Sequence, residues 1–128
     1  MSHYGLTKVI LVVDDHPEIR ALLREILETR GYLVLEACNG LDALCQAGKY
    51  QCDLVITDLL MPEKEGIETI RALRALQPAL KIMAVSGATE FCYLKAALLL
   101  GANDAMRKPF DPDLLIEAVD HLVNPMPS

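Results

Sequence analysis

The sequence predicts an α/β domain: a doubly wound, five-stranded parallel sheet carrying five helices. Three observations predict it. The chain alternates five times between a short apolar run and a stretch with helical spacing of apolar residues. The runs are continuous instead of alternating with polar residues, which is the pattern of strands covered on both faces. Each run leads into a helical stretch, and right-handed crossovers between parallel strands then distribute the helices over both sides. The chain has 128 residues, 52% of them hydrophobic, which suits one domain with a core of its own.

The first strand is KVILVVDD (8–15), an apolar run that ends in acids. PEIRALLREILETRG (17–31) follows as a helix, with Ile19, Leu22, Leu23, Ile26 and Leu27 on one face and Gly31 as its stop. YLVLEA is the second strand and GLDALCQAGK the second helix. DLVITD is the third strand, and GIETIRALRALQ the third helix, closed by Pro78. KIMAVSG is the fourth strand, and TEFCYLKAALLLG a helix that stops at Gly101. DAMRKPF holds a short fifth strand. DPDLLIEAVDHLV is the last helix, with Asp111 as N-cap and Pro112 at its first position. There is no internal repeat, low-complexity run or long linker, so residues 1–128 are read as a single domain with a core from about Lys8 to Val123. The strand order adopted is 2-1-3-4-5, that of flavodoxin-like sheets. Periodicity alone does not fix that order.

Composition excludes several classes of function. The net charge of -6 gives the chain nothing to gain from a nucleic-acid backbone, so direct DNA or RNA binding is not expected. No window holds eighteen apolar residues without a charge, and MSHYGLTK lacks the apolar centre of a signal peptide. No membrane partner is expected, and the cytoplasm is the expected location. The four cysteines, Cys38, Cys45, Cys52 and Cys92, form no C-x-x-C pair. Small buried side chains in a reducing compartment are the preferred reading of them over a metal or redox role.

In such a sheet the crevice that takes ligands lies beyond the carboxyl ends of the strands. Strand one ends in Asp14 and Asp15, strand three in Asp58, strand four in Ser86, and strand five in Lys108. Strand two offers Glu36 and Asn39, further from the centre. Singly, each group has an ordinary explanation. Asp15 before Pro17 could cap a helix, Ser86 could be a turn hydroxyl, and Lys108 a solvated charge. Jointly they place three carboxylates in one cleft, where they repel. Protons or a cation would relieve that repulsion, and hard oxygen donors at a partly open site suit Mg²⁺ or Mn²⁺. Lys108 adds a positive charge from the other side.

The chain resembles a response-regulator receiver domain, the CheY-like module of two-component phosphorelay signalling. The resemblance rests on Asp14-Asp15, on Asp58, Met61, Pro62 and Gly66 in D-x-x-M-P-x-x-x-G, on Ser86-Gly87, and on Lys108-Pro109-Phe110. These motifs are weak singly and specific together, and the match covers nearly the whole chain. The resemblance implies that Asp58 accepts a phosphoryl group from a histidine kinase or a histidine phosphotransfer protein. It implies Mg²⁺ held by Asp15, Asp58 and the Leu60 carbonyl, with Asp14 acting through a metal-bound water. Lys108 would pair with the phosphoryl oxygens, Ser86 would move to bond them, and the Lys108–Pro109 peptide would be cis. Such a domain is a phosphoacceptor that assists its own phosphorylation and dephosphorylation, and not an enzyme in the ordinary sense. Its downstream partner would meet the face of helix four, strand five and helix five.

The sequence departs from the family pattern at Ala105, where many receivers carry Tyr or Phe three residues before the lysine. Without that aromatic lever, the usual coupling of Ser86 to the output face is in question, and shifts of the loop from Gly87 to Glu90 or a pure relay role remain open. Leu60 and Ala88 cannot hydrogen-bond an attacking water, which predicts a phosphoryl lifetime that these positions do not shorten. Helix four carries Phe91, Tyr93, Leu94, Leu98, Leu99 and Leu100, read either as core or as a surface for a partner or homodimer. Helix one, often the kinase-facing helix, carries Glu18, Arg20, Arg24, Glu25 and Arg30. The alternative function is a receiver-like binding module that signals by protein contact without phosphate. A flavodoxin is disfavoured because DDHPE would repel a flavin phosphate. A haloacid-dehalogenase-type phosphatase is disfavoured because Leu60 stands where its second acid belongs.

Overall fold

The structure is a computed structural model that describes residues 7–59, 65–87 and 91–124, excluding the side chains of Glu65 and residues 91–94. Strands β1 (Val9–Val13), β2 (Leu33–Ala37), β3 (Leu54–Asp58), β4 (Lys81–Ser86) and β5 (Asp104–Arg107) alternate with helices. These are α1 (Pro17–Glu28), α2 (Gly40–Lys49), α3 (Glu65–Leu76), α4 (Phe91–Leu99) and α5 (Pro112–Val123). The sheet order is β2-β1-β3-β4-β5, and every pairing is parallel. The fold class and strand order expected from the sequence are those observed.

Two apolar layers explain why the strands are continuous apolar runs. Successive strand side chains point to opposite faces. Ile10, Val12, Leu54, Ile56, Met83 and Val85 pack with Leu23, Ile26 and Leu27 of α1 and Leu115, Val119 and Val123 of α5. Their neighbours Leu11, Val13, Val55, Ile82 and Ala84 pack on the other side with Ala43 and Ala47 of α2, Ile70 and Leu73 of α3, and Ala97 of α4. With helices on both faces, a polar alternation would bury unpaired polar groups.

The helix ends follow local chemistry. Asn39 caps α2 by accepting from the Asp42 amide. Asp111 caps α5 by accepting from the amides of Asp113 and Leu114, with Pro112 at the first position, as its sequence predicts. At α1 the N-cap is His16, without a side-chain capping bond, so Asp15 does not cap that helix. The chain passes Gly31 at φ 81°, left-handed backbone that suits glycine. The Lys108–Pro109 peptide is cis, as the resemblance implied.

Two sequence expectations are corrected. Leu22 is exposed although it was assigned to the buried face of α1; it lies at the edge of the apolar stripe, and the burial of Leu23, Ile26 and Leu27 suffices to seat the helix. Cys38 and Cys45 are exposed and only Cys52 is buried among the described cysteines: Cys38 lies in the turn before α2, and on α2 it is Ala43 and Ala47 that face inward instead of Cys45. Burial pushes the Cys52 thiol up to about 11, with Asp53 adding to the effect, so it is an inert packing group. Three of the charged residues singled out on the first helix are tied to other elements. Arg20 and Arg24 both pair with Glu36 of β2, and Arg30 pairs with Asp120 of α5. No described helix is long and apolar enough to cross a membrane.

Arg74 ties the amino-terminal end of the sheet to the helices around it. Its guanidinium donates to the carbonyls of Gly101 (2.7 Å), Pro78 (2.8 Å) and Leu80 (2.5 Å) and to Asn103 Oδ1 (2.8 Å). Asn103 Oδ1 also accepts from the Ile82 amide. One side chain thus closes the end of α3, the start of β4 and the turn from α4 to β5. Gly101 sits at φ 124°, and a Cβ there would come within 3.0 Å of Arg74 Cγ. We expect Arg74→Ala to lower the unfolding free energy by about 2–3 kcal/mol, since several carbonyls lose a charged donor at once. A urea midpoint within error of the parent would show that the clamp contributes nothing.

Candidate functional site

The carboxyl ends of β1, β3, β4 and β5 converge on one cleft. The β1–β2 ladder extends one residue past the strand, because the Asp14 amide donates to the Ala37 carbonyl (3.1 Å). On the other side, Asp58 lies opposite Val85 and Ser86 opposite Arg107. The ladders continue through the Leu59 amide to Val85 (3.0 Å) and the Lys108 amide to Ser86 (2.7 Å). Each polar group is therefore the last residue of a strand, or within two residues of its end, and inherits the rigidity of the sheet.

These groups are buried far more than their chemistry favours. Asp14 is 1% exposed, Asp58 2% and Ser86 0%. The Lys108 ammonium lies 3.1 Å from Asp14 Oδ2 and 3.3 Å from Asp58 Oδ2. Burial opposes its charge most strongly, but Asp58 and then Asp14 together outweigh burial and raise its pKa above 10.5. Its stabilising effect is thus complete below that ordinary value and disappears only as pH climbs through the raised one. Asp14 Oδ1 accepts from the His16 amide (2.9 Å) and lies 3.0 Å from His16 Nδ1.

Asp15 completes the cluster from its solvent side. One ligand atom from each of Asp14, Asp15, His16 and Asp58 can be chosen so that all lie within 4.8 Å of one another. A divalent ion that prefers oxygen could be held by the three carboxylates while keeping waters on the open side, where the Asp15 side chain is 34% exposed. The Ser86 hydroxyl is buried and has no hydrogen-bond partner among the described residues. A buried hydroxyl without a partner is costly, which marks this end of β4 as a place where an acceptor oxygen would be welcome.

Gly66, at the start of α3, is a wall of the same site. A Cβ there would lie on the Asp58 carbonyl oxygen and 2.9 Å from the Leu59 carbonyl carbon. Any side chain would displace the backbone that carries Asp58. The glycine in D-x-x-M-P-x-x-x-G is needed because helix and strand backbones touch.

The structure brings together Asp14, Asp15, Asp58, Ser86 and Lys108, as the sequence analysis expected. Asn39 and Glu36 are elsewhere engaged, the first as a helix cap and the second with two arginines. Leu60, Met61, Pro62, Ala88, Glu90 and the side chains of Phe91, Tyr93 and Leu94 lie outside the described residues. On α4, Ala97 is buried whereas Leu98 and Leu99 are exposed. Ala105 is half-buried beside Ala84 in the sheet, packed against the apolar layer. Two residues near the acids were not singled out for the site. His16 sits 3.0 Å from both Asp14 and Asp15, and its signal was adjacency in DDHP. Arg20 reaches the Asp14 carbonyl (2.7 Å), and only its place in the first turn of α1 hinted at that.

The His16 imidazole is shifted upward from 6.5, mainly by its hydrogen bond to Asp14 and then by the charge of Asp15. The folded state therefore favours the imidazolium: that stabilisation is full below pH 6.5 and fades as pH rises through the raised value. A proton NMR titration should place His16 above 6.5, and Asp14→Asn should bring it down. An unchanged midpoint in that variant would disprove the contact.

Comparison with known proteins agrees with this geometry. The family model of the response regulator receiver domain matches residues 10–120. Sporulation initiation phosphotransferase F of Bacillus subtilis is 33% identical over 114 residues, covering 89% of this chain and 92% of that protein. Chemotaxis protein CheY of Thermotoga maritima is 34% identical over 114 residues, covering 88% and 95%. A response regulator receiver domain protein (CheY-like) from Methanospirillum hungatei superposes with a TM-score of 0.86 at 29% identity, covering 92% of this chain and 94% of that one. Some relatives are longer: the chain covers 45% of the alkaline phosphatase synthesis transcriptional regulatory protein PhoP of Bacillus subtilis, at 38% identity. With its sheet order, its strand-end acids and a family match over most of its length, this chain belongs to the response regulator receiver domains.

Proposed function

We propose that this receiver domain accepts a phosphoryl group on Asp58 in a Mg²⁺-dependent reaction, from a histidine kinase or a histidine phosphotransfer protein, and acts as a switch or relay. The observation that carries this reading is the convergence of Asp14, Asp58 and Lys108 on one cleft beside the Ser86 hydroxyl, which has no partner among the described residues. The strand ends on a carboxylate because the strand is the nucleophile's mount.

A carboxylate attacking a phosphoryl group meets like charge, so positioning and charge neutralisation carry the catalysis. An Asp58 oxygen forms the new P–O bond as the P–N bond to the donor imidazole breaks, its electron pair leaving with that nitrogen. Lys108, already between Asp14 and Asp58, pairs with the phosphoryl oxygens. The Ser86 hydroxyl donates to one of them and so gains the partner that it lacks. Bound Mg²⁺ would supply Lewis-acid neutralisation of the developing charge. Asp15, Asp58 and the Leu60 carbonyl would hold it, with Asp14 acting through water. The donor set fits, being all oxygen, anionic and open on one side.

Output would pass through the face of α4, β5 and α5, where Leu98, Leu99 and Leu114 are exposed, to a protein partner or a second copy of the chain. With Ala105 in β5, that route has no aromatic ring at the family's usual position. The setting proposed is cytoplasmic, without nucleic acid or membrane as a direct partner.

Incubation with acetyl phosphate and Mg²⁺ should add a single phosphoryl group, about 80 Da by intact mass. The adduct should be absent in Asp58→Ala and in chelator. An unmodified wild-type protein under conditions where Mg²⁺ binding is confirmed would defeat the reading and favour signalling by protein contact alone.

A further inference from the structure

We infer that Arg20 is a positioning residue for the cation site: its guanidinium fixes the peptide that joins Asp14 to Asp15 and thereby aims Asp15 into the cleft. The inference rests on the reading of that site as one for Mg²⁺.

The two acids of the pair are held very differently. Asp14 is fastened at every polar atom. Its amide donates to Ala37, its Oδ1 accepts from the His16 amide and its Oδ2 from Lys108. Its carbonyl accepts from Arg20 Nη1 at 2.7 Å. Asp15 has a partly exposed side chain whose one contact among the described residues is with His16 Nδ1 at 3.0 Å. What directs Asp15 is the orientation of its own backbone. The Asp14 carbonyl and the Asp15 amide are two ends of one rigid peptide plane. The Arg20 bond fixes the rotation of that plane, and with it the direction in which the Asp15 side chain departs.

Arg20 is itself held. Its Nε donates to Glu36 Oε1 at 3.0 Å, and the same carboxylate accepts from Arg24 Nε at 2.7 Å through its other oxygen. Arg24 and then Arg20 keep the Glu36 carboxyl below its ordinary range against the opposing effect of burial. Glu36 stands on β2 directly opposite Val12, so the anchor is part of the sheet. The sequence of supports runs from β2 through Glu36 and Arg20 to the peptide between the acids. His16 gives α1 no side-chain cap, so Arg20 supplies a tie that the turn otherwise lacks.

Arg24 provides the control. It carries the same charge and touches the same Glu36, but its other side-chain bond among the described residues goes to Glu28 on its own helix. If charge near the acids were what mattered, the two arginines would act alike. If the bond to the Asp14 carbonyl matters, they would not.

The test is Mg²⁺ binding by calorimetry, with the Mg²⁺ dependence of acetyl phosphate labelling, on wild type, Arg20→Gln, Arg20→Lys and Arg24→Gln. Arg20→Gln should weaken Mg²⁺ binding by about 10-fold, at the lower end of what loss of a group supporting a metal ligand costs. Its labelling rate should return to the wild-type value at saturating Mg²⁺. Arg20→Lys, which keeps the charge but replaces the two donor nitrogens used for Glu36 and the carbonyl by one, should lie between. Arg24→Gln should stay within about twofold, below what any lost supporting group would cost. Equal losses in Arg20→Gln and Arg24→Gln, or no loss in Arg20→Gln, would overturn the inference. If Arg20→Gln does not fold, Arg20→Lys against Arg24→Gln decides by the same criterion. A wild-type protein that binds no Mg²⁺ and takes no label would instead refute the proposed function.

Discussion

Two buried carboxylates share one ammonium. Asp14 and Asp58 are drawn out of water onto neighbouring strands, and Lys108 lies between them at 3.1 and 3.3 Å. Taken alone, such an arrangement works against folding, because desolvated like charges repel and one cation cannot cancel two anions. It persists because the residues that carry it continue the ladders of a sheet buried on both faces. The apolar layers above and below hold the polar end in place, and the repulsion stored there makes the cleft receptive to further positive charge.

Most of the architecture was legible because its signals are redundant. Covered parallel strands must be apolar along their buried length, as β1 is throughout and β3 and β4 are between their polar ends. Helix spacing, Gly31 and the Asp111–Pro112 cap mark boundaries that the structure reproduces. The site was legible for a related reason: strand ends are where such a sheet presents chemistry, and Asp14, Asp58 and Ser86 are strand ends. Strand order was less legible, since no residue pattern within one strand names its neighbour.

What the sequence hid were contacts between distant residues. Arg20 and Glu36 are sixteen positions apart, and nothing in helical periodicity says that a first-turn arginine leans onto a strand and a turn instead of facing solvent. The exposure of Cys38 and Cys45 was hidden for a similar reason. Composition treats cysteine as a buried residue type, whereas Cys38 falls in a turn and the seating of α2 chose Ala43 and Ala47 over Cys45 for the interior. His16 was passed over because adjacent residues carry no spacing signal; its closeness to both acids depends on how the turn folds.

The contact at Gly66 bears on how this site can respond. The first turn of α3 and the main chain of Asp58 are pressed together with no side chain between them. Displacement of one is delivered to the other without slack, so Asp58 and the helix form a single mechanical body. The other side of the cleft is less fully bonded, since the Ser86 hydroxyl has no partner among the described residues. The domain is in this sense an anvil, with Asp58 set on its unyielding face.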